Sequence, residues 1–302
     1  MKPFSVTDAA FEGFRLARER PMVIVYWTVL WLLASLLIEY ASVRLGGAAF
    51  AELVRQSQIP ASERDPQELM RVYAQLFPLM AVLVPIGMVF YAVTSTAAYR
   101  LVMYRDERPP AVKLGLDEIR QLGVMVVIAA MFFGLEIVLL VIISLLTALA
   151  NAVHPALGGA VGAIGFGVFL GIMVFIGVRL SLAGPLTLAR RRISPLGSWA
   201  LTRDHFWQLV ITYVLALALA LLVVFLGGLL TAAFAALLGG GLTSASALVI
   251  PESTSFAEFF TPVRIVFLLG NAAFSALTFA IASAAPAVVY QRLAPGAGEQ
   301  VG

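Results

Sequence analysis

The chain has 302 residues, of which 61% are hydrophobic and only 12% are charged. Because soluble domains carry about a quarter charged residues, this composition excludes an ordinary soluble fold and predicts a protein embedded in a membrane. The absence of cysteine excludes disulfides and cysteine-based metal or catalytic sites, and the small net charge of +3, dispersed among connections, argues against a nucleic-acid partner.

Six apolar stretches are long enough to cross a hydrocarbon core of about 30 Å as helices. The predicted spans are 21–43, 76–99, 122–150, 157–187, 207–238 and 263–290. They predict an all-α polytopic bundle that forms one integral membrane domain over 1–302. Pro78 and Pro85 are predicted to kink the second span.

Basic residues predict the orientation, because Lys and Arg near span ends are retained in the cytoplasm. They are frequent before the first span and in the second and fourth connections, whereas the third connection, 151–155, has none and the fifth has only Arg264. An even number of spans then places both termini in the cytoplasm. The arginines of the fourth connection, expected to fix topology and to contact lipid headgroups, are Arg190, Arg191, Arg192 and Arg203.

An amphipathic segment precedes the first, third and fifth spans, and the even spans share a pattern at their ends. Two small residues open, and an arginine closes, the stretches "AAYRLVMYR" (97–105), "AGPLTLARR" (183–191) and "AAPAVVYQR" (284–292). The sequence therefore predicts three repeated units, each an interfacial amphipathic helix followed by a transmembrane hairpin, near 4–105, 109–191 and 194–292.

Polar and apolar faces are separated in each amphipathic segment. In the first, Asp8 and Glu12 oppose Phe11, and the letters "SVTD" (5–8) predict a capping box. In the third, Ser198 and Thr202 oppose Trp199 and Phe206, and Ser194-Pro195 predicts a helix start. Each segment is expected to lie in the headgroup zone.

The stretch "SPLGSWALTRDHFWQLV" (194–210) carries Trp199, Thr202, Arg203, Phe206 and Trp207 into the fifth span. It resembles the recurring signature of polytopic bacterial membrane proteins of the glycerophosphoryl diester phosphodiesterase membrane-domain type. The resemblance implies a six-helix module of the bacterial inner membrane, a source that the alanine-rich usage also suggests. It implies no activity, because no soluble segment here could house the catalytic domain that some relatives carry.

Polar residues form one stripe in the third span and one in the sixth. These are Glu136, Thr147 and Asn151 in the third span and Asn271, Ser275 and Thr278 in the sixth. A carboxylate at this depth is unfavourable unless it is paired, hydrogen-bonded or protonated. We expect the stripes to face each other around a polar seam or small cavity, which would be a proton or substrate site; hydrogen bonding between helices is the alternative.

Arginine, glycine and tryptophan carry the remaining signals. Arg179, near the inner end of the fourth span, is expected to extend its guanidinium to the headgroups, with a buried anion site as the alternative. The fourth-span glycines expected to pack inside the bundle, or else in a homodimer seam, are Gly158, Gly162, Gly167 and Gly171. The tryptophans expected to act as interfacial anchors are Trp27, Trp31, Trp199 and Trp207.

The residues predict no enzyme, metal site or cofactor. The topology puts His154 and His205 on opposite sides of the membrane, and no nucleotide-binding loop or zinc-protease motif is present. The expected function is transport or handling of a lipid or small amphiphile through the polar seam. The alternative is a membrane scaffold that binds a protein partner through its cytoplasmic amphipathic helices. Membrane lipids are the expected partners, with a protein partner or a second copy of the chain as alternatives.

Overall fold

A computed structural model describes residues 5–60, 65–104, 106–109, 111–237 and 262–294. These ranges are helical and contain no strand. Six of the helices are long and apolar enough to cross a membrane, which confirms the predicted all-α bundle and makes the protein a multi-pass integral membrane protein. Most of the predicted fifth connection and the ends of the first repeat unit, at 4 and 105, lie outside the described residues.

The helices fall into two groups by length. The long ones are α2 (Pro21–Ala41, continued by a π-helical turn over Ser42–Gly46 and by α3, Gly47–Ser57), α5 (Phe77–Met103), α6 (Leu116–Val153), α7 (Pro155–Leu180), α10 (Phe206–Ala235) and α11 (Pro262–Leu293). The short ones are α1 (Val6–Glu19), α4 (Pro66–Gln75), α8 (Ala183–Arg190) and α9 (Gly197–Thr202), the last joined to α10 by a 3-10 turn over Arg203–His205.

Two details of the spans differ from the sequence prediction. The fourth span is interrupted, because α7 ends at Leu180 and α8 begins at Ala183. Pro78 lies in the first turn of α5, where a missing N–H leaves no hydrogen bond unmade, so the predicted kink there is wrong and the proline starts the helix. Pro85 does lie inside the helix.

The core forms where the ends of the three even spans meet. α11 is the central helix and packs against α1, α2, α5 and α10. One cluster of buried side chains joins Tyr99 of α5, Leu182 and Leu186 beside and within α8, and Val289 of α11. The small pairs that open the repeated stretches are all buried: Ala97-Ala98, Ala183-Gly184 and Ala284-Ala285. The shared pattern therefore marks the segments that converge.

The small residues are required by close approach of the helices. A Cβ added to Gly184 would lie 2.8 Å from a ring carbon of Tyr99, and one added to Gly13 would lie 2.3 Å from the Cα atom of Ile281. α1 thus lies backbone to backbone against α11 and buries Ala9 and Ala10. Phe11 takes no part in this close contact, since its side chain is 47% exposed.

The three amphipathic segments differ in the structure. The first is a separate helix whose cap is confirmed, because Ser5 Oγ accepts a hydrogen bond from the Asp8 N–H at 3.2 Å. The second is the beginning of α6, which runs unbroken from Leu116 to Val153. The third is the six-residue α9, which begins at Gly197 after turns and has no side-chain cap from Ser194. A separate helix thus precedes the odd span in two units.

Candidate functional site

The break between α7 and α8 is held by buried hydroxyl groups of α9. The Ser198 hydroxyl donates to the Arg179 carbonyl at 2.7 Å and accepts from the Leu182 N–H at 3.1 Å. The Thr202 hydroxyl lies 3.4 Å from the same carbonyl. These groups satisfy backbone atoms that lack partners where a helix ends. The polar side chains Ser198 and Thr202 of the third amphipathic segment are therefore buried against the end of α7.

This contact assembles aromatic rings around Arg179. Its guanidinium carbon lies 5.2 Å from the ring centroid of Phe175, 5.4 Å from that of Phe206 and 5.6 Å from that of Trp199. We call these four residues the Arg179 cage. The rings also contact one another, with centroids 5.7 Å apart for Phe175 and Trp199 and 5.3 Å apart for Phe175 and Phe206. Such faces attract a guanidinium and fix its position.

Two nitrogens of the guanidinium in the cage lack hydrogen-bond acceptors within the described ranges. Its Nε and Nη1 atoms are buried and have no partner among the residues that the structure describes. Rings can stabilise the charge, but they cannot accept strong hydrogen bonds, and unsatisfied buried donors are unfavourable by about 1–3 kcal/mol each. Phe175 and Trp199 are each 38% exposed, so two rings of the cage also lie on the outside of the bundle. A ligand with acceptor oxygens would have to displace these rings to reach the two nitrogens.

Exposed arginines border the cage. Arg190 is the last residue of α8, Arg191 and Arg192 follow it, and Arg203 comes directly after Thr202. The Arg190 Nη1 atom lies 3.6 Å from the position that a Cβ would take at Gly197, in the first turn of α9. All four arginines are exposed. The predicted headgroup and topology arginines therefore lie at the end of α8, in the connection that follows it and in the turn after α9, next in sequence to the segments that build the cage.

The two polar stripes are not brought together. α6 packs mainly against α7, α5 and α8, whereas α11 packs mainly against α10, α1, α2 and α5. Glu136 and Asn271 are exposed on their helices, where lipid would surround them. Thr278 Oγ1 is buried and Ser275 is half-buried, both on α11. The predicted seam between the third and sixth spans is thus not formed by the described residues.

The outer residues of the α6 stripe pack against glycines of α7 instead. A Cβ at Gly158 would overlap the Asn151 amide, and one at Gly162 would lie 3.5 Å from Thr147 Oγ1. Gly158 and Gly162 therefore make the close contact predicted for them. Gly167 and Gly171 would add a Cβ with nothing within 4 Å in the described part of the chain, so they do not pack inside this bundle.

The tryptophans divide into three environments. Trp27 is fully buried, with its ring centroid 5.5 Å from that of Phe279, so it is a core residue and the anchor prediction is wrong there. Trp31 is half-buried and contacts Phe90 edge to face at 5.1 Å. Trp207 is 73% exposed, as an anchor would be. Trp199 belongs to the Arg179 cage.

Sequence reasoning missed a buried ion-pair cluster at the start of α6. Arg100, treated only as an orientation signal, is 6% exposed and donates to Glu118 Oε1 at 2.5 Å and to Asp117 Oδ2 at 3.2 Å. The signal was available, because Arg100 lies within the repeated stretch of α5 and two adjacent acids, Asp117 and Glu118, open α6. Helix periodicity alone does not say which elements meet.

No group of three or more His, Asp or Glu residues within the described ranges is arranged to hold a metal ion. His154 caps α7, its Nδ1 accepting from the Ala156 N–H at 3.1 Å. In comparisons with known proteins, no family model, no curated protein and no solved structure matches this chain.

Proposed function

We propose that the protein is a non-enzymatic protein of the bacterial inner membrane that binds and handles an anionic lipid or small amphiphile at the Arg179 cage. The observation that carries the proposal is the pair of buried, unpartnered guanidinium N–H groups of Arg179 in a cage whose rings of Phe175 and Trp199 are partly exposed. Phosphate and carboxylate oxygens accept two parallel hydrogen bonds from a guanidinium, so either group would complete the site.

The place of the cage along the chain supports a lipid ligand. Arg179 is the second-last residue of α7, at the end of the fourth span that the distribution of basic residues assigns to the cytoplasm. Headgroups of the inner leaflet lie at that depth. The exposed Trp207 in the first turn of α10 is the kind of residue that is enriched there.

The composition of the cage suits an amphiphile better than a free inorganic anion. The rings of Phe175, Trp199 and Phe206 offer apolar surface beside the cation, and the neighbouring exposed arginines attract negative charge. A phosphate attached to an acyl glycerol would meet both features. The proposed binding site is therefore at the end of α7 and not at the predicted seam between the third and sixth spans.

The test is lipid binding by the purified protein and an Arg179→Gln variant. In phosphatidylcholine nanodiscs, wild type is expected to retain added phosphatidylglycerol, measured by native mass spectrometry of released complexes. Arg179→Gln is expected to lower this affinity about tenfold, because charge-assisted hydrogen bonds contribute about 1.5–3 kcal/mol.

The matched control is Arg44→Gln, which removes the same charge. Arg44 is an exposed arginine 6.0 Å from the single ring of Tyr40, in the π-helical turn after α2. It should leave phosphatidylglycerol affinity unchanged. Equal affinities for wild type and Arg179→Gln would refute the lipid site. Retention of inorganic phosphate with no retention of lipid would replace the amphiphile by a free anion.

A membrane scaffold is the second candidate, and the α6–α7 hairpin favours it. The most apolar 18 residues of α6 include none that is buried, and Leu116 and Ile119 at its start are 66% and 64% exposed. A scaffold should co-purify with a protein partner in stoichiometric amount from lipid-retaining particles, and Arg179→Gln should not change that yield. The resemblance of residues 194–210 to the phosphodiesterase-type membrane domains fits either role.

A further inference from the structure

A cleft between α5 and the start of α6 lies apart from the residues of the Arg179 cage. Its volume is about 290 Å³, near the lower end of the range for small-molecule sites. The lining is almost wholly apolar and consists of Val89, Ala92, Val93, Leu114, Gly115, Glu118, Ile119 and Leu122. The cleft can therefore take an apolar chain.

The cleft follows the first turns of α6 on one side and the middle of α5 on the other. On α5 it is lined from Val89 to Val93, and Arg100, about two turns further along α5, pairs with Glu118 of the cleft wall. The lining of α6 rises about 9 Å along the helix between its first residue and Leu122, roughly a third of the hydrocarbon core. Leu114 and Gly115, in the connection between α5 and α6, form the end nearest the headgroups. The shape is that of a groove for one acyl or alkyl chain.

One polar group in the wall lacks a partner. Glu118 is 4% exposed, and its Oε1 atom accepts from Arg100, but its Oε2 atom is buried without a hydrogen-bond partner among the described residues. Gly115, which also lines the cleft, has its Cβ position 3.5 Å from Oε2. With no side chain at Gly115, the oxygen lies beside the space of the cleft.

The charges around Glu118 are already balanced. Arg100 binds both Glu118 and Asp117, and Asp117 also accepts from Arg120 at 2.8 Å. Two arginines thus face two carboxylates. The unpartnered Oε2 atom can accept a hydrogen bond from an uncharged donor, whereas a second anion beside it would be repelled by the Glu118 carboxylate.

We infer that this cleft binds a neutral amphiphile with one chain in the groove and a hydroxyl group that donates to Glu118 Oε2, which is the chemistry of monoacylglycerols, diacylglycerols and long-chain alcohols. The site is independent of the Arg179 cage, and its ligand is of the opposite electrostatic class. Together the two sites would let one chain hold an anionic and an uncharged amphiphile.

Photocrosslinking in phosphatidylcholine nanodiscs tests the inference. The probe is a monoacylglycerol with a diazirine in the chain and a terminal alkyne for detection. It is expected to label peptides of α5 or the first turns of α6, and unlabelled monoacylglycerol should compete. Because a hydrogen bond to a charged acceptor contributes about 1.5–3 kcal/mol, the hydroxyl probe should compete about tenfold better than the same probe with methylated hydroxyls.

Val89→Trp should block the cleft and abolish labelling there. Val89 is 47% exposed, so the larger ring is accommodated without disturbing the core. The matched control is Val141→Trp, at a 60% exposed position further along α6, which should leave labelling unchanged. Glu118→Gln is a second test, since it should remove the preference for the hydroxyl probe over the methylated probe while the cleft itself is kept.

Three results would overturn the inference. Equal labelling of Val89→Trp and Val141→Trp would show that no cleft is used, and equal competition by the methylated probe would show that Glu118 is not the acceptor. Stronger competition by phosphatidylglycerol than by monoacylglycerol would assign the cleft to anions. Arg179→Gln should not alter labelling of the cleft, so a failure of this inference can be distinguished from a failure of the proposed anion-binding site at Arg179.

Discussion

At the scale of single residues, Glu12 of α1 is the carboxylate whose burial has the clearest consequence. It is 8% exposed and accepts from Arg15 at 2.7 Å. Burial raises the pKa of Glu12 above its ordinary 4.5, because the loss of hydration outweighs the attraction of Arg15. A carboxyl whose pKa is raised by folding destabilises the folded state when ionised. The free energy of unfolding therefore falls as the pH rises from about 4.5 through the raised pKa of Glu12, because the carboxyl loses its proton over that range.

Glu12→Gln removes this penalty. The variant should unfold at a higher temperature than wild type near pH 8, and the difference should shrink as the pH approaches about 4.5. Thermal unfolding in detergent, followed by circular dichroism across that range, measures it. Glu19→Gln is the control, because Glu19 is exposed and lies 3.8 Å from the same Arg15. A pH-independent difference for Glu12→Gln, or an equal effect at Glu19, would contradict the assignment.

Residue roles could be predicted where they depend on neighbours in sequence. Ser5 caps α1 as its spacing from Asp8 indicates. Trp27 and Glu12 were misjudged, because burial depends on which helix lies opposite. The small face of α1 at Gly13 admits the α11 backbone, and this contact buries an acid that periodicity places on the polar side. The Arg179 cage was missed for the same reason, since its rings come from three helices.

At the scale of elements, hydropathy placed all six spans, while their interruptions followed from local chemistry. Pro21 begins α2 immediately after Arg20 and separates it from α1. No proline or cap interrupts the chain between Leu116 and Val153, so the second amphipathic segment continues into α6 as one helix. An amphipathic pattern therefore predicts the faces of a segment, but not whether a helix ends between it and the following span.

The Ser198 hydroxyl, which joins α9 to the end of α7, gives a prediction at this scale. Ser198→Ala leaves the buried Leu182 N–H without its acceptor and removes a donor from the Arg179 carbonyl. The variant should lose about 1–3 kcal/mol of stability and should bind phosphatidylglycerol more weakly, because α9 carries the Trp199 ring of the cage. Thermal unfolding and the nanodisc binding measurement report the two effects.

The control for this variant is Ser57→Ala. Ser57 is exposed, and its hydroxyl donates to the Val54 carbonyl within its own helix at 2.7 Å. Its loss should leave stability and lipid binding nearly unchanged. If Ser198→Ala lowers stability but binds the lipid as wild type does, α9 would be structural and the position of Trp199 would not matter for the ligand.

At the scale of the whole molecule, the main apolar core lies at one end of the bundle, where the Arg100–Glu118 ion pair also lies. The end where α1, α8 and the ends of α5 and α11 meet has the apolar core. Near the opposite end, α2 and α11 are joined by Arg264, which donates to Glu39 Oε2 at 2.9 Å. Between them, the apolar side chains of the spans are mostly exposed, as expected where lipid is the solvent. We therefore expect rigid binding surfaces at the end of the bundle that contains the apolar core.

The orientation of this core end decides whether the anionic site can meet inner-leaflet lipids. The chain contains no cysteine, so single cysteines report accessibility without background. Ala200 of α9 is exposed beside the Arg179 cage, and Val153, 77% exposed, lies at the far end of α6. Because the arginine-rich connections should be retained in the cytoplasm, Val153→Cys should react with a membrane-impermeant maleimide in intact spheroplasts, and Ala200→Cys should react only after permeabilisation.

The reverse pattern would place the Arg179 cage against the outer leaflet and would contradict the proposal that it binds lipids of the inner leaflet. Labelling of both cysteines in intact spheroplasts would be incompatible with an odd number of crossings between the two positions, and would require α7 to end within the membrane.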